Sequence, residues 1–443
     1  MISINEYLNS IKDKRICVIG IGISNEPLIR LLAFAGCNVT ACDSHGIESL
    51  GMKALELLNI GVKLKLGPDY LDNLDFDIIF RTPGLMPFNI HPVNKDCIIT
   101  SEMQLFFDTC PCKIIAVTGS DGKTTTTTII AELLKKSGFN VYLGGNIGKP
   151  LLCETPMMKK EDICVVELSS FQLHSMVCAP DIAVITNISP NHLDKHKDFE
   201  DYINAKYNIY VNQKPGASLV LNADDAILSK LPGTSWFSAV KETDGAYLSG
   251  TSIYRNGKYL MDSGDIKIPG LHNVYNYLAA FTAVSGLVDD ATCAEVARNF
   301  GGVEHRLESF LVKNGVTFIN DSIASSPART IAGLKAMKTK PIVIVGGYDK
   351  QLPFDELGLA LHELSKKVIV TGQTAEKIIS AIERAGGADY ERIDDFDSAA
   401  LKAAEIAEEG DIVMLSPACA SFDSFKNFEQ RGEQFKKLIM ELK

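Results

Sequence analysis

Gly119-Ser120-Asp121-Gly122-Lys123-Thr124 sets glycines, a lysine and a hydroxyl in the order that holds a nucleoside phosphate. Backbone N–H groups at a helix start make an anion cradle, and the helix dipole adds partial positive charge. Lys123 would reach the terminal phosphates, and Thr124 would offer its hydroxyl to Mg²⁺. The spacing departs from G-x-x-x-x-G-K-[ST], since Val117 stands where the first glycine belongs and Gly119 follows two residues later. An ordinary strand-to-helix turn that happens to contain Gly-Lys-Thr is the competing reading. Context argues against it: Lys113 to Val117 reads as a buried strand, and Thr124 to Ser137 as a helix stopped by Gly138.

Other candidates gather where strands end. Ile163 to Val166 reads as a strand, and Glu167 at its end could bind Mg²⁺. Ile182 to Thr186 is the next strand, and the loop Asn187 to His196 after it carries His192. Asn146, in the glycine turn 144–148, is either a turn residue or a ligand contact. Asn273 and Asn276 lie three apart on a helix that runs from 273 to 287. They either pair with the polar edge of an adenine or cap the helix. Lys206, on the polar helix 199–211, reads by itself as surface charge.

The elements that must position these groups alternate strand and helix, the pattern of parallel α/β sheets. In the first segment, Arg15 to Gly20 and Asn38 to Cys42 are strands around the helix 24–36. The turn Gly20-Ile21-Gly22-Ile23-Ser24-Asn25, with Asp43 downstream, imitates a dinucleotide fingerprint but lacks its third glycine. The better reading is a Rossmann-like layer holding a nucleotide by a helix N-terminus and Asp43. A nicotinamide-dependent oxidoreductase is the rival from a different class. The strand 75–80 runs into Arg81-Thr82-Pro83-Gly84-Leu85, where Thr82 and Gly84 could contact phosphate or sugar. The short alternating runs of 218–269 read as a small β appendage. From His305 onward a hairpin around Asn314-Gly315 precedes strands at 341–345, 367–370 and 411–415, a second doubly wound unit. Expected boundaries are 1–110, 111–303 and 304–443.

The 443 residues are 46% hydrophobic and 22% charged, ordinary for a soluble protein. A formal net charge of −11 without a basic cluster argues against a nucleic-acid partner, and no apolar run has membrane-spanning length. Eleven cysteines, an odd number, read as reduced thiols in a cytoplasm. Cys110-Pro111-Cys112 suggests a metal knuckle, but no second Cys or His pair follows at zinc spacing, which favours a loop.

Taken together, the chain resembles the Mur ligase family over all three segments. The family's shortened loop T-G-x-x-G-K-[ST] matches Thr118 to Thr124 and accounts for the spacing fault. Its glutamate matches Glu167, its histidine His192, its carbamoylated lysine Lys206, its asparagines Asn273 and Asn276, and its His-Arg pair His305-Arg306. The stretch 416–432 looks like the D-glutamate-adding branch. The resemblance implies a three-domain α/β fold: a Rossmann-like N-terminal domain, a central P-loop ATPase-like domain and a Rossmann-like C-terminal domain. It implies ATP-dependent addition of D-glutamate to UDP-N-acetylmuramoyl-L-alanine through an acyl phosphate, by a cytoplasmic monomer. ATP would meet Thr118, Gly119, Ser120, Asp121, Gly122, Lys123, Thr124, Thr125, Asn273, Asn276, Arg306 and Asp321. Two Mg²⁺ ions would use Thr124, Glu167, His192 and the carbamate of Lys206. The uridine substrate would sit on Ser24, Asn25, Asp43, Ser44, Thr82, Gly84, Asn146, Ser169 and Gln172, and D-glutamate on Lys350, Ser421 and Phe428. One position departs: the family reads Asn-Asp-Ser-Lys, and here Ile323 follows Ser322, so that lysine's cationic contact is either absent or supplied from elsewhere, with Lys350 the suggested source.

Overall fold

Short β-branched runs bounded by glycine form four sheets among the described residues of this computed structural model, which covers residues 2–192, 195–349 and 352–442. Two compact units result. One holds Met1–Ile266 and Leu271–Arg298, the other Lys267–Gly270 and Asn299–Lys443.

In the larger unit the first sheet runs Lys63–Leu66, Asn38–Asp43, Arg15–Ile19, Ile78–Phe80, Ile98–Thr100, all parallel. Its order reverses beside Arg15–Ile19, so the turns 20–25 and 81–84 flank the switch point where such sheets bind ligands. The central sheet is also parallel: Ser235–Phe237, Ser218–Asn222, Ile182–Ile185, Lys113–Thr118, Ile163–Glu167, Val141–Gly145. Its middle strand Lys113–Thr118 is buried after Lys113, as a strand covered on both faces must be. The helix Lys123–Lys136 that follows buries Ile129, Ile130, Leu133 and Leu134. Full burial of each such side chain contributes roughly 1.5–3 kcal/mol.

The expected β appendage over 218–269 is corrected. Ser218–Asn222 and Ser235–Phe237 are outer strands of the central sheet, and only Ala246–Ser249, Ser252–Arg255 and Lys258–Asp262 form a separate antiparallel sheet. The contiguous run Leu219, Val220, Leu221 is the mark of a strand buried on both faces, not of an exposed hairpin.

The smaller unit carries Glu308–Lys313, Val316–Asn320, Ile412–Leu415, Ile342–Gly346, Lys367–Thr371 and Tyr390–Arg392 in that spatial order, the first pair antiparallel and the rest parallel. Asn314 and Gly315 have φ of 51° and 76°, the left-handed pair that a type I′ hairpin needs. Side chains alternate between two cores. Val343, Val345, Val368 and Val370 pack on one face, and Ile342, Ile344, Ile369, Val413 and Leu415 on the other.

Candidate active site

Lys113–Thr118 delivers the chain to Gly119 (φ 152°), and Gly122 (φ 76°) turns it into the helix Lys123–Lys136. Space demands both glycines: a β-carbon on Gly119 would stand 1.9 Å from Thr186 Oγ1, and one on Gly122 2.2 Å from Asn276 Oδ1. The end of the neighbouring strand braces the loop. Ser120 N donates to Asn187 O at 2.9 Å, Asp121 N to Asn187 Oδ1 at 2.9 Å, and Thr186 Oγ1 to Asp121 O at 2.6 Å. Thr118 and Ser120 use their hydroxyls within the protein, donating to Leu168 O at 2.7 Å and Ser189 O at 2.9 Å. First-turn amides lack intrahelical acceptors, so those of Thr124 and Thr125 are the donors this turn presents to an anion. Lys123 Nζ lies over the loop, donating to Gly119 O at 3.0 Å and Ser120 O at 2.9 Å. Asn276 is buried beside Gly122, bonded to Thr126 Oγ1 at 3.3 Å and to Asn273 Oδ1 at 3.1 Å.

Glu167 ends the strand next to the phosphate strand, opposite Val117 in register, and is 1% exposed. Its Oε1 accepts from Asn146 Nδ2 at 2.8 Å, while Oε2 is buried without a hydrogen-bond partner among the described residues. An unpartnered buried carboxylate oxygen is costly, and a hard divalent cation is the partner its chemistry accepts. The donor set therefore fits Mg²⁺. Ser169 and Gln172 form a reciprocal capping box at 3.0 and 3.2 Å at the start of Ser170–Leu173.

Lys206 is the sharpest difference from its residue-level reading. It is 1% exposed, with Nζ donating to Gly119 O at 2.7 Å and lying 4.6 Å over the ring of Tyr202. Tyr202, Ala205 and Lys206 make the buried face of Phe199–Tyr207. Burial, and then the like charge of Lys123, push its pKa well below the usual lysine range. His192 sits in left-handed backbone (φ 55°) with its ring 5.0 Å from Phe171. Phe171 stacks on the buried His196 at 5.4 Å, and His196 is held by Ser170 Oγ at 3.0 Å and Asp201 Oδ2 at 2.9 Å. Burial lowers the His196 pKa despite that carboxylate.

At the first sheet's edge, Asp43 Oδ2 accepts from Ile21 N at 2.7 Å and Oδ1 from His45 N at 2.9 Å. Burial would raise this acid, but the amides of His45 and Ile21 outweigh it and hold it low. Asp43 thus closes the glycine turn. Ser24, Ser44 and Gly84 are exposed around it, Thr82 is half-buried, and Asn25 is buried with Nδ2 donating to Ile19 O at 2.8 Å. Arg81 is fully buried and donates to Phe171 O at 2.6 Å, Ser175 Oγ at 2.9 Å and Leu85 O at 3.1 Å, tying this edge to the helix after Glu167.

In the smaller unit, Asp321 is buried, accepting from Ser416 Oγ at 2.7 Å and Leu307 N at 3.1 Å. Burial pushes its carboxyl up to about 7 against those bonds and the charges of Arg306 and Arg329. Ser421 is buried, and Phe428 opens the helix Phe428–Glu441 with its ring 5.9 Å from His305. The buried Arg431 joins the two segments, donating to Ser322 Oγ at 3.0 Å and Cys419 O at 3.1 Å. Lys350 lies outside the described residues.

Comparison with known proteins decides the family. The Mur ligase middle domain matches residues 117–284, and the glutamate ligase domain of Mur ligases matches 305–419. A UDP-N-acetylmuramoylalanine–D-glutamate ligase of Clostridium botulinum is 46% identical over 99% of both chains. The chain belongs to the Mur ligase family. An enzyme of the same name from Acetivibrio thermocellus is 45% identical over 98% of both chains. The fold is shared with the Mur ligase UDP-N-acetylmuramate–alanine ligase of Thermotoga maritima, at a TM-score of 0.60 and 21% identity over 96% of this chain and 99% of that one.

Against the Mur ligase pattern, the departure at Ile323 has a cation beside it: Arg329 Nη1 donates to Ile323 O at 3.1 Å. Several supporting residues escape a reading by motif. Thr186 and Asn187 brace the phosphate loop from the adjacent strand end, a place the carboxyl-edge rule marks. Tyr202 lies four residues before Lys206 on the same helix face. Arg81 and Arg431 look like surface charge until the fold buries them, and sequence carries no signal for that.

Proposed function

We propose that this Mur ligase joins D-glutamate to UDP-N-acetylmuramoyl-L-alanine at the cost of ATP, as the names of its relatives at 45–46% identity suggest. A carboxylate does not react with an amine until it has a leaving group. The γ-phosphoryl passes to the terminal alanine carboxylate, giving an acyl phosphate and ADP. The D-glutamate amine attacks the acyl carbon, phosphate leaves with the C–O electron pair, and the ammonium proton is lost as the amide forms. Lys123 and the first-turn amides neutralise charge on the transferred group.

Mg²⁺, when bound, neutralises and aligns the polyphosphate, and Thr124, Glu167, His192 and Lys206 are the residues to hold two such ions. An amine is a poor ligand for a hard cation, whereas a carbamate offers oxygen. Only a neutral amine adds to CO₂, forming an N–C bond and releasing a proton. The buried Lys206, whose charged form is disfavoured, is suited to that step. The orphaned oxygen of Glu167 is the single observation that best supports the metal site.

Asn273 and Asn276 with Arg306 and Asp321 contact the rest of ATP. The first sheet's edge takes the uridine nucleotide, with Asn146, Ser169 and Gln172 nearer the muramoyl part. Lys350, Ser421 and Phe428 take D-glutamate, and Arg329 supplies the cation that Ile323 lacks. The enzyme acts as a cytoplasmic monomer; no helix of the described residues is long and apolar enough to cross a membrane. The test is phosphate release with UDP-N-acetylmuramoyl-L-alanine and each of a panel of amino acids. D-Glutamate should be preferred by orders of magnitude. Equal rates with L-glutamate or D-alanine, or release without the uridine substrate, would overturn the assignment.

A further inference from the structure

The fold gives Cys110-Pro111-Cys112 the partner that its sequence neighbourhood lacks. Cys112 leads into Lys113–Thr118, which pairs in parallel with Ile163–Glu167 so that Ile114 lies opposite Cys164. Three buried thiols meet there, with Sγ separations of 3.2 Å (Cys112–Cys164), 3.5 Å (Cys110–Cys112) and 3.7 Å (Cys110–Cys164). A fourth sulfur, Met158 Sδ, lies 3.7 Å from Cys164 Sγ. Cys112 also lines a cavity of about 700 Å³ with Lys113, Asp181, Ile182 and Ser218. Those residues stand at the starts of three central strands, so the cavity lies at the opposite end of the sheet from the phosphate loop. Cys112 thus borders solvent at the end of the sheet away from Gly119–Thr124, while Cys110 and Cys164 lie buried behind it.

We propose that Cys110, Cys112 and Cys164, with the Met158 thioether beside them, bind a thiophilic divalent cation of the Zn²⁺ class. Magnitudes favour this over a disulfide. An S–S bond of about 2.05 Å would need the closest pair, Cys112 just ahead of one strand and Cys164 within its neighbour, to contract by more than an ångström. Zn–S bonds of about 2.3 Å at tetrahedral angles put sulfurs about 3.8 Å apart, so the present spacings need to open only by tenths of an ångström. Soft sulfur donors select such a cation over Mg²⁺. Charge favours divalence: three thiolates leave a single buried negative charge with M²⁺ and two with a monovalent ion. Binding converts three S–H groups to S–M bonds and releases their three protons to solvent. The cation would clip the segment 110–112 to the strand Ile163–Glu167, which ends in Glu167.

The test uses reduced, metal-stripped full-length protein in excess Mg²⁺, titrated with Zn²⁺ against a chromophoric chelator and with Cd²⁺ as a spectroscopic probe. One equivalent should bind, with a thiolate-to-metal charge-transfer band and about three protons released per metal. Cys110→Ser and Cys164→Ser should each lose the band and weaken binding by at least about tenfold. Cys17→Ser, at a separate buried thiol pair, should keep both. Absence of the band in the wild-type protein overturns the proposal whether or not the variants fold, as does binding unchanged in Cys164→Ser. A Zn²⁺ site that Cu(I) occupies with equal stoichiometry would overturn the divalent assignment.

Discussion

Lys206 shows how far burial changes a side chain's chemistry. On a surface an ammonium persists to high pH; here burial and the neighbouring Lys123 disfavour it. Lys206→Ala should lower kcat by about 10²–10³-fold, the scale of losing a preorganised charge partner. Added bicarbonate should not restore it, because the amine that would be carboxylated is gone. Near-normal turnover of this variant in a phosphate-release assay would remove Lys206 from the metal site. Glu102 makes the complementary case. It is buried with Oε1 unpartnered among the described residues, and burial pushes its carboxyl from 4.5 up to about 7. Below pH 4.5 both folded and unfolded chains hold the proton and the group costs nothing. Between about 4.5 and 7 the unfolded chain ionises while the folded protein stays protonated, so stability is lost as pH rises through that window. The full penalty at neutral pH is on the order of 3 kcal/mol. Glu102→Gln should flatten the pH dependence of urea midpoints across this range and leave it unchanged below pH 4.

At the scale of elements, the loop proposed to hold phosphate joins a strand to a helix and is locked by the end of the next strand. Gly119→Ala would drive a methyl into Thr186 Oγ1 and force a residue with a side chain to φ 152°. Turnover should fall at least about 10²-fold, since a displacement of about 1 Å costs that much. Adding Thr186→Ala should recover part of the loss, as it removes the clash but not the backbone strain. No recovery relative to Thr186→Ala alone, which by itself removes the bond from Thr186 Oγ1 to Asp121 O, would mean that the backbone sets the requirement. This element was legible from sequence because its signals are local: an apolar run, two glycines, a lysine and a helix pattern within two dozen residues. The outer strands Ser218–Asn222 and Ser235–Phe237 were not, because parallel edge pairing is decided by partners far along the chain. The same limit hid the environment of Lys206. The polar helix Phe199–Tyr207 gives no local sign that its Tyr202–Lys206 face meets Gly119, eighty-seven residues earlier. It also hid Cys164, fifty-two residues after Cys112 and reached only through strand register. Motif resemblance singles out Lys206 where composition does not, and the fold sets it apart from a surface lysine by its burial against Gly119.

For the whole molecule, the division into two units has a thermodynamic consequence. The larger unit has one continuous core running from Ile16 in the first sheet and Leu28 on the helix Glu26–Phe34 to Ile114, Val166 and Leu221 in the central sheet. The first and central sheets should therefore melt together, despite their separate topologies. The smaller unit keeps its own two-faced core around Val343, Val368 and Ile344. Chains with separate cores do not melt as a single two-state system. Calorimetry should thus show two transitions. UDP-N-acetylmuramoyl-L-alanine, proposed to bind only residues of the larger unit, identifies which is which. At a hundred times its Kd it adds about 2.7 kcal/mol to the state that binds it. That should move the larger unit's transition up by several degrees and leave the other in place. A shift confined to the smaller transition would relocate the uridine site. A single transition, raised as a whole, would mean that the two cores unfold as one.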